Sequence, residues 1–257
     1  PLNYGAAAIL SGLTQTATAA GYALMIAQLD LDPELPTSSR QVRRALDAFL
    51  SSRVEGIVVT SPYRDTEESL GEVWDSVPIL ILSGRPQSSH YAATIDSHAA
   101  GLLATRHLIE LGHRRILHIA GPGKRNESVE REGGYLEALA EAGLDPLPAV
   151  RGDWSSTSGH AAGLAVAPSS FSAVFAGNDQ MALGFVAAMR ERALLAPRDY
   201  SIVGVDDMPD ARYFSPPLST MAMDFTRLGE TAIQMVLHHI ETGERMARML
   251  TQHPATT

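Results

Sequence analysis

The chain has 257 residues, no cysteine, and 29 acidic against 20 basic side chains, which gives a formal net charge of -9. At about 150 residues per domain, this length suits one large domain or two modest ones. The lack of cysteine excludes a disulfide scaffold, a thiolate zinc site and a cysteine nucleophile within this chain. The acidic balance indicates that this stretch does not coat nucleic acid by itself. The sequence shows no apolar run long enough to span a membrane and no signal-peptide pattern.

Strand-like and helix-like segments alternate along nearly the whole chain. The continuous apolar run at 22–27, which follows Gly21, predicts a strand buried on both faces. The next segment predicts a helix with Ser38 as its N-cap. Its apolar residues recur at helical spacing: Val42, Ala45, Leu46, Phe49 and Leu50.

Two more strands and a helix complete the pattern of the first half. Apolar runs at 56–59 and 78–82 predict the strands. Between them, Asp65 and Glu68 have the spacing of a capping box, which predicts a helix running toward Trp74.

The second half repeats the alternation with clearer boundaries. Helices are predicted at 100–111, 128–142, 179–192 and 225–242, and strands at 115–120, 171–176 and 201–205. Gly112, Gly143 and Gly243 follow three of the helices at the position where a left-handed residue closes the last turn. Strands that alternate with helices of this length indicate βαβ units and parallel sheets, and the number of elements favours two sheets over one.

The residues that follow the predicted strands are candidates for a binding site, because open α/β sheets bind ligands beyond the carboxyl ends of their strands. Most are short and polar, and one is an indole: Thr60, Ser83, Gly121, Asp153, Trp154, Gly177, Asn178, Asp206, Asp207, Met223 and Asp224. Such a set can hydrogen-bond neutral hydroxyls and offer one flat apolar face, and it lacks the basic cluster that phosphate binding needs. Asn and Asp at strand ends also commonly cap the next helix, and that alternative stays open for each residue on position alone.

Nothing in the sequence supports catalysis. Asp206 and Asp207 are adjacent and would point to opposite faces of an extended strand, and His238 and His239 cannot jointly face one metal from a helix. His113 falls in a predicted turn and suits a structural role. The sequence holds no HExxH, GxSxG or EF-hand motif, and no GxGxxG follows a strand. We therefore expect no catalytic residues, no metal and no cofactor.

Several motifs together resemble one protein family. They are Gly112–Ile116, Gly152–Ser155, Asn178–Gly184, Ile202–Asp207 and Ser215–Thr220. In this order and spacing the chain resembles the effector-binding core of the lactose-repressor/galactose-repressor family of bacterial transcription regulators. A weaker match extends upstream to Tyr4.

The resemblance implies an α/β, periplasmic-binding-protein-like fold of two parallel-sheet, Rossmann-like subdomains joined by three crossover segments. We expect the crossovers near 94–96, 221–223 and 250–251. The N-terminal subdomain would hold residues 1–95 and 224–249, and the C-terminal subdomain residues 96–223 and 250–257. The family pattern also has a first strand and a helix-turn-helix headpiece upstream, so the DNA-reading part is expected outside this chain.

The resemblance also implies a set of effector-binding residues. Arg131 matches the family's effector-binding arginine, whose planar guanidinium can bridge two neighbouring hydroxyls. Trp154 matches a ring that faces the sugar, and Asn178 and Asp206 match polar ligands of sugar hydroxyls.

Four further positions complete the expected site and make its specificity distinctive. Tyr4, Thr60, Ser83 and Met223 belong to the matched set. The last three fall where the lactose-responsive regulator of the family has longer polar side chains, and Met223 replaces a hydrogen-bonding group with a soft apolar one. A galactoside is therefore not assumed as the effector.

The implied function is that of a ligand-gated repressor core. A small sugar or sugar-like effector would bind in the inter-subdomain cleft and favour one hinge angle, and in a homodimer that angle would set the affinity for operator DNA. The helix at 178–192 and the loop at 213–214 offer an apolar surface for the dimer, and a cytoplasmic location without membrane contact is expected. The alternatives are an extracytoplasmic sugar-binding protein of the same fold and a sugar-modifying α/β enzyme, although no base and nucleophile pair can be named.

Overall fold

The computed structural model describes residues 3–29, 36–60, 77–82, 92–244 and 249–251, and these form two compact units. The five-stranded unit contains residues 95–224 together with residues 3–5, and the four-stranded unit contains residues 6–94 and 225–251 within the described ranges. In chain order the elements are α1 (Tyr4–Ala19), α2 (Pro36–Ser51), β1 (Ile57–Thr60), β2 (Ile79–Leu82), β3 (Ala92–Ile95), α3 (Ser97–Glu110), β4 (Ile116–Ala120), α4 (Asn126–Glu141), β5 (Val150–Arg151), α5 (Ser156–Ala165), β6 (Ala173–Ala176), α6 (Asp179–Glu191), β7 (Ser201–Asp206), β8 (Ser219–Ala222), α7 (Phe225–Thr242) and β9 (Met249–Thr251).

The five-stranded unit is built on a parallel sheet in the order β5-β4-β6-β7-β8. Strands β4 and β6 are buried along their whole length, as expected for a parallel sheet covered on both faces. One apolar cluster of this unit combines side chains of the sheet, of α5 and α6, and of the connecting segments: Leu117, Ile119, Trp154, Ala162, Phe171, Val174, Met181, Phe185, Met189 and Tyr200. The carboxyl ends of all five strands therefore lie at one edge of a rigid layer.

The helices that cover this sheet pack in pairs through direct backbone contact. Gly134 on α4 lies against backbone atoms of α3, and Gly101 on α3 lies against the backbone of Arg131. Gly159 and Gly184 play the same part between α5 and α6. A Cβ atom at any of these glycines would overlap the neighbouring main chain, so the close spacing of each pair depends on glycine.

The four-stranded unit has the strand order β1-β2-β3-β9, and the pairs β1–β2 and β2–β3 are parallel. Strand β2 is buried throughout. An apolar cluster of the four-stranded unit includes Leu46, Ile57, Ile79, Ile81 and Ala92. The fold class predicted from the sequence, α/β with two parallel sheets, is thus confirmed.

Most element boundaries in the second half lie within three residues of their predicted positions. The helix predicted at 225–242 is α7 without change, and the one predicted at 179–192 is α6. Gly112, Gly143 and Gly243 have φ angles of +93°, +64° and +73° and close α3, α4 and α7 as predicted.

Three features of the first half differ from the predictions or lie beyond them. The predicted strand at 22–27 is wrong: no described residue there belongs to a strand, and Met25 and Ile26 are 53% and 63% exposed. No described strand pairs with the segment, and an apolar run becomes a strand only when a neighbour takes its backbone hydrogen bonds. Helix α2 begins at Pro36, so Ser38 lies inside its first turn and is not the N-cap that was predicted. Proline suits the first position of a helix because the N–H groups of the first turn have no partner within the helix, so no hydrogen bond is lost. Helix α1 was not predicted.

The capping box of Asp65 and Glu68, with the helix toward Trp74, lies outside the described residues. No helix of the described chain is long and apolar enough to cross a membrane.

Two histidines of the five-stranded unit are structural. The ring nitrogens of His113 lie 3.0 Å from the hydroxyl of Ser172 and 2.9 Å from that of Ser201, which ties together the starts of β6 and β7. His118, in the middle of β4, is buried against the rings of Phe175 and Tyr135, and its Nδ1 lies 3.0 Å from the Phe175 carbonyl. Burial lowers the pKa of His118 to about 4, because the charged ring would lose its hydration.

This burial predicts a pH dependence of stability. The unfolded chain binds a proton at His118 below about pH 6.5 and the folded protein only near pH 4, so the free energy of unfolding falls as the pH drops through this window. The expected loss is on the order of 3 kcal/mol. Urea unfolding of the wild type and of His118→Leu at pH 7.5, 6, 5 and 4.5 measures this effect. The variant should not show the part of the stability loss that comes from protonation of His118. Parallel pH profiles for the two proteins would contradict the prediction.

Candidate functional site

Four of the predicted site residues meet at the carboxyl edge of the five-stranded unit. Arg131 reaches this edge from α4, and Trp154 follows β5. Asn178 follows β6, and Asp206 ends β7. Each is buried, and each contacts at least one of the other three.

Arg131 is the centre of this group. The residue is only 4% exposed, and its Nη1 donates a hydrogen bond to the carbonyl of Gly177. Its Nη2 lies 3.4 Å from Oδ1 of Asp206, and its guanidinium carbon lies 5.4 Å from the centre of the Trp154 ring. The guanidinium is therefore fixed by a carbonyl, a carboxyl group and an aromatic face at once.

Trp154 and Asn178 support one another. Trp154 has a φ of +73°, and glycines at 121 and 177 leave room for its indole, because a Cβ atom at Gly121 would overlap the ring. Asn178 donates from Nδ2 to the Trp154 carbonyl at 3.1 Å, and its Oδ1 accepts from the N–H of Met181 at 2.9 Å. Asn178 thus caps α6, which was the alternative to a binding role, and also holds Trp154 in place.

Asp206 and Asp207 form a turn with left-handed backbone angles, φ +122° and +52°. Asp206 is 7% exposed and Asp207 is exposed. The backbone is not extended there, so the predicted orientation toward opposite faces of an extended strand does not apply. Burial raises the pKa of Asp206 to about 8. Arg131 opposes this rise, and the negative charges of Asp179 and Glu127 add to it.

Asp179 acts on this group, although the sequence analysis gave it no binding role and placed it only at a helix start and in the Asn178–Gly184 motif. It is 1% exposed, accepts a hydrogen bond from the Thr220 hydroxyl at 2.6 Å, and accepts another from the N–H of Met208 at 2.9 Å. Burial raises its pKa to about 6, against the effect of these two bonds. Its position directly after Asn178, just beyond the end of β6, is the sequence feature that could have indicated it.

Glu127 is a second residue that sequence reasoning missed. It lies one helical turn before Arg131 and therefore on the same face of α4. Its Oε1 is 2.7 Å from Nε of Arg125, and its charge acts on Asp206. The spacing of four residues to Arg131 could have indicated it.

Tyr4 and Met223 also lie at this edge. Burial raises the pKa of Tyr4, and the charges of Asp206, Asp207, Asp179 and Asp224 raise it further, which places its hydroxyl among these carboxyl groups. Met223 is buried, and its N–H points to the Asp206 carbonyl at 3.5 Å.

Two predicted residues are not brought to this group by the described structure. Thr60 is the last residue of β1, is exposed, and belongs to the four-stranded unit. Ser83 lies outside the described residues. Their part in a site stays a prediction.

The edge offers several hydrogen-bonding side chains. No group of three or more histidine or carboxylate side chains in the described chain is placed to hold a metal ion. Arg131, Asp179 and Glu127 all act on the Asp206 carboxyl group, so one cation meets several carboxyl groups at this edge.

The fold and this edge define a periplasmic-binding-protein-like domain, and the family model of that description matches residues 105–256. The HTH-type transcriptional repressor PurR of Klebsiella pneumoniae (strain 342) is 33% identical over 256 residues, which cover 96% of this chain and 73% of that protein. A lac repressor dimer bound to operator and the anti-inducer ONPF has a TM-score of 0.86 at 25% identity, covering 96% of this chain and 86% of that one. The transcriptional regulator CelR in complex with cellobiose has a TM-score of 0.84 at 27% identity, covering 98% and 77%.

The chain belongs to the lactose-repressor/galactose-repressor family of transcriptional regulators. It is the effector-sensing core of a repressor, and this interpretation is supported over that of an extracytoplasmic sugar-binding protein. These relatives are named as repressors and regulators, not as enzymes.

Proposed function

We propose that the carboxyl edge of the five-stranded unit binds a small, neutral, polyhydroxylated effector. The observation that carries this proposal is the buried Arg131–Asp206 pair beside the Trp154 ring. Arg131 would donate to two adjacent oxygens of the effector, and Asp206 would bond a hydroxyl. Asn178, Tyr4 and Met223 would complete the contacts from this unit, with Thr60 and Ser83 added from the remainder of the chain.

The relatives support a carbohydrate-like effector and a DNA-binding partner. Cellobiose, bound in the CelR complex, is a neutral sugar, and the lac repressor complex is a dimer on operator DNA. For this protein we infer a cytoplasmic homodimer that reaches operator DNA through an N-terminal helix-turn-helix that is not in this chain.

The proposed mechanism is a shift between two conformations. An effector that binds one hinge angle of the two subdomains more tightly would raise the population of that angle and change operator affinity. Coupling of this kind is typically ~1–3 kcal/mol. The subdomains proposed for the hinge are residues 1–95 with 224–249 and residues 96–223 with 250–257.

A thermal-shift screen tests the proposed ligand class. The panel pairs neutral compounds (glucose, galactose, cellobiose, ribose, adenosine) with anionic ones (glucose 6-phosphate, gluconate, adenosine monophosphate). A ligand at 100 times its dissociation constant adds ~2.7 kcal/mol to the free energy of unfolding, so we expect a clear rise in Tm for a neutral member. Stabilisation by anionic compounds alone would overturn the proposal, as would an equal rise in Arg131→Ala.

The proposed dimer makes a separate prediction about Tyr213. Its side chain is 79% exposed, and Leu183 and Leu195 on and after α6 are 39% and 40% exposed, which gives the apolar surface that a twofold contact needs. Tyr213→Asp should shift the protein from dimer to monomer in sedimentation velocity at micromolar concentration. Leu111→Asp is the matched control, because Leu111 is 60% exposed elsewhere in the unit. A wild-type protein that sediments as a monomer would contradict the dimer.

A further inference from the structure

The turn that carries Asp206 needs support from outside itself. Asp206 and Asp207 both have φ angles in the left-handed region, where residues other than glycine are strained by about 1–3 kcal/mol each. Such a conformation persists only when neighbouring groups hold it. Hydrogen bonds to the backbone of the next residues supply that hold.

Two buried side chains make these bonds. The hydroxyl of Thr220, on β8, donates to Oδ1 of Asp179 at 2.6 Å and accepts from the N–H of Asp207 at 3.3 Å. The other carboxyl oxygen of Asp179, on α6, accepts from the N–H of Met208 at 2.9 Å. Both side chains are 1% exposed, so water does not compete for these bonds.

Asp179 also acts on Asp206 through charge. The groups that face Asp206 are Arg131 and Glu127 from α4, Asp179 from α6, and Tyr4 from α1. Arg131 is the one cation among them, whereas Asp179 is the stronger of the two anionic influences on the Asp206 carboxyl.

We propose that Asp179 and Thr220 are positioning residues of the effector site, which hold the turn at 206–208 so that the Asp206 carboxyl faces Arg131. Asp179 acts a second time, because its negative charge disfavours a second charge on Asp206. The inference rests on the proposed effector role of Asp206, and neither residue needs to touch the effector.

Removal of the Thr220 hydroxyl tests the mechanical part. Thr220→Val keeps the shape of the side chain but loses both bonds, so amide hydrogen exchange at Asp207 and Met208 should become about tenfold faster. Thr220→Ser should restore slow exchange. Thr105→Val is the matched control, since Thr105 is a buried threonine of the same unit whose hydroxyl bonds the Gly101 carbonyl. Unchanged exchange in Thr220→Val, or equal acceleration in Thr105→Val, overturns the proposal.

Asp179→Asn tests the electrostatic part without any effector. The chain has two tryptophans, so in a Trp74→Phe background the fluorescence of Trp154 reports on Arg131 and its partner Asp206. The ionisation of Asp206 near pH 8 should appear as a step that Asp206→Asn abolishes. Asp179→Asn should move the midpoint roughly one pH unit lower, because the opposing negative charge is gone.

The outcomes separate this inference from the proposed function. A midpoint that does not move in Asp179→Asn overturns the electrostatic action of Asp179 on Asp206, whatever the protein binds. A midpoint that moves as expected supports it. In that case, failure of every neutral compound in the thermal-shift panel counts against the effector class and leaves the action of Asp179 on Asp206 intact.

Discussion

Arg131→Ala should weaken effector binding by about 10–150-fold, since the charge-assisted bonds of its guanidinium are worth ~1.5–3 kcal/mol. Isothermal titration with the neutral compound that gives the largest thermal shift measures the effect. Arg106→Ala is the control variant, because Arg106 is an exposed arginine of the same unit, paired with Glu141 at 2.7 Å, and should leave affinity unchanged. Equal affinity of Arg131→Ala and the wild type would remove Arg131 from the site.

The same substitution should also destabilise the folded protein in a pH-dependent way. Without Arg131, the buried carboxyl group of Asp206 loses its cation, so the pKa of Asp206 rises beyond about 8. The neutral acid then persists to higher pH, and the penalty is largest in alkaline solution, where the unfolded chain gains most by ionising this group. Urea unfolding at pH 6 and pH 9 should show the larger loss at pH 9.

Gly134→Ala should destabilise the protein by about 1–3 kcal/mol, whereas Gly133→Ala, one residue earlier, should be neutral or stabilising by up to about 1 kcal/mol. A Cβ atom at Gly134 would overlap the His98 carbonyl and the Leu102 amide, which are main-chain atoms and cannot turn away. A Cβ atom at Gly133 meets only the His98 ring, at 3.4 Å. Alanine also favours the helix over glycine at both positions.

Chemical unfolding of the two variants measures this contrast within one helix. Both add the same methyl group, so helix propensity cancels in the comparison and the difference reports the α3–α4 contact. Equal free energies of unfolding for the two variants would mean that α3 and α4 can move apart without a loss of stability. Since Gly101 contacts the Arg131 backbone across the same pair, a loosened pair should also reduce effector affinity in Gly134→Ala.

The sequence was most informative where local patterns alone determine structure. The helices α6 and α7 and the glycine-closed helix ends follow from periodicity and from glycine's access to left-handed angles. The run at 22–27 has equally good strand composition, yet it forms no strand among the described residues, because pairing depends on a neighbour that composition does not specify.

The grouping of Arg131, Trp154, Asn178 and Asp206 at one edge was predictable, but the hydrogen bonds around it were not. The rule of strand ends and the family resemblance selected Arg131 and Asp206. They did not reveal that Asp206 lies on a left-handed turn, or that Asp179 and Thr220 hold this turn. Those facts arise from contacts between elements distant in sequence, for which single residues carry no local signal.

The immobilised guanidinium of Arg131 has a consequence for the entropy of recognition. A free arginine side chain loses up to about 2 kcal/mol of rotamer freedom when it is ordered. Here the carbonyl of Gly177, the carboxyl group of Asp206 and the ring of Trp154 order it during folding. An incoming effector therefore meets an arginine that is already fixed in orientation. The entropy cost of ordering this side chain is then not subtracted from the free energy of binding.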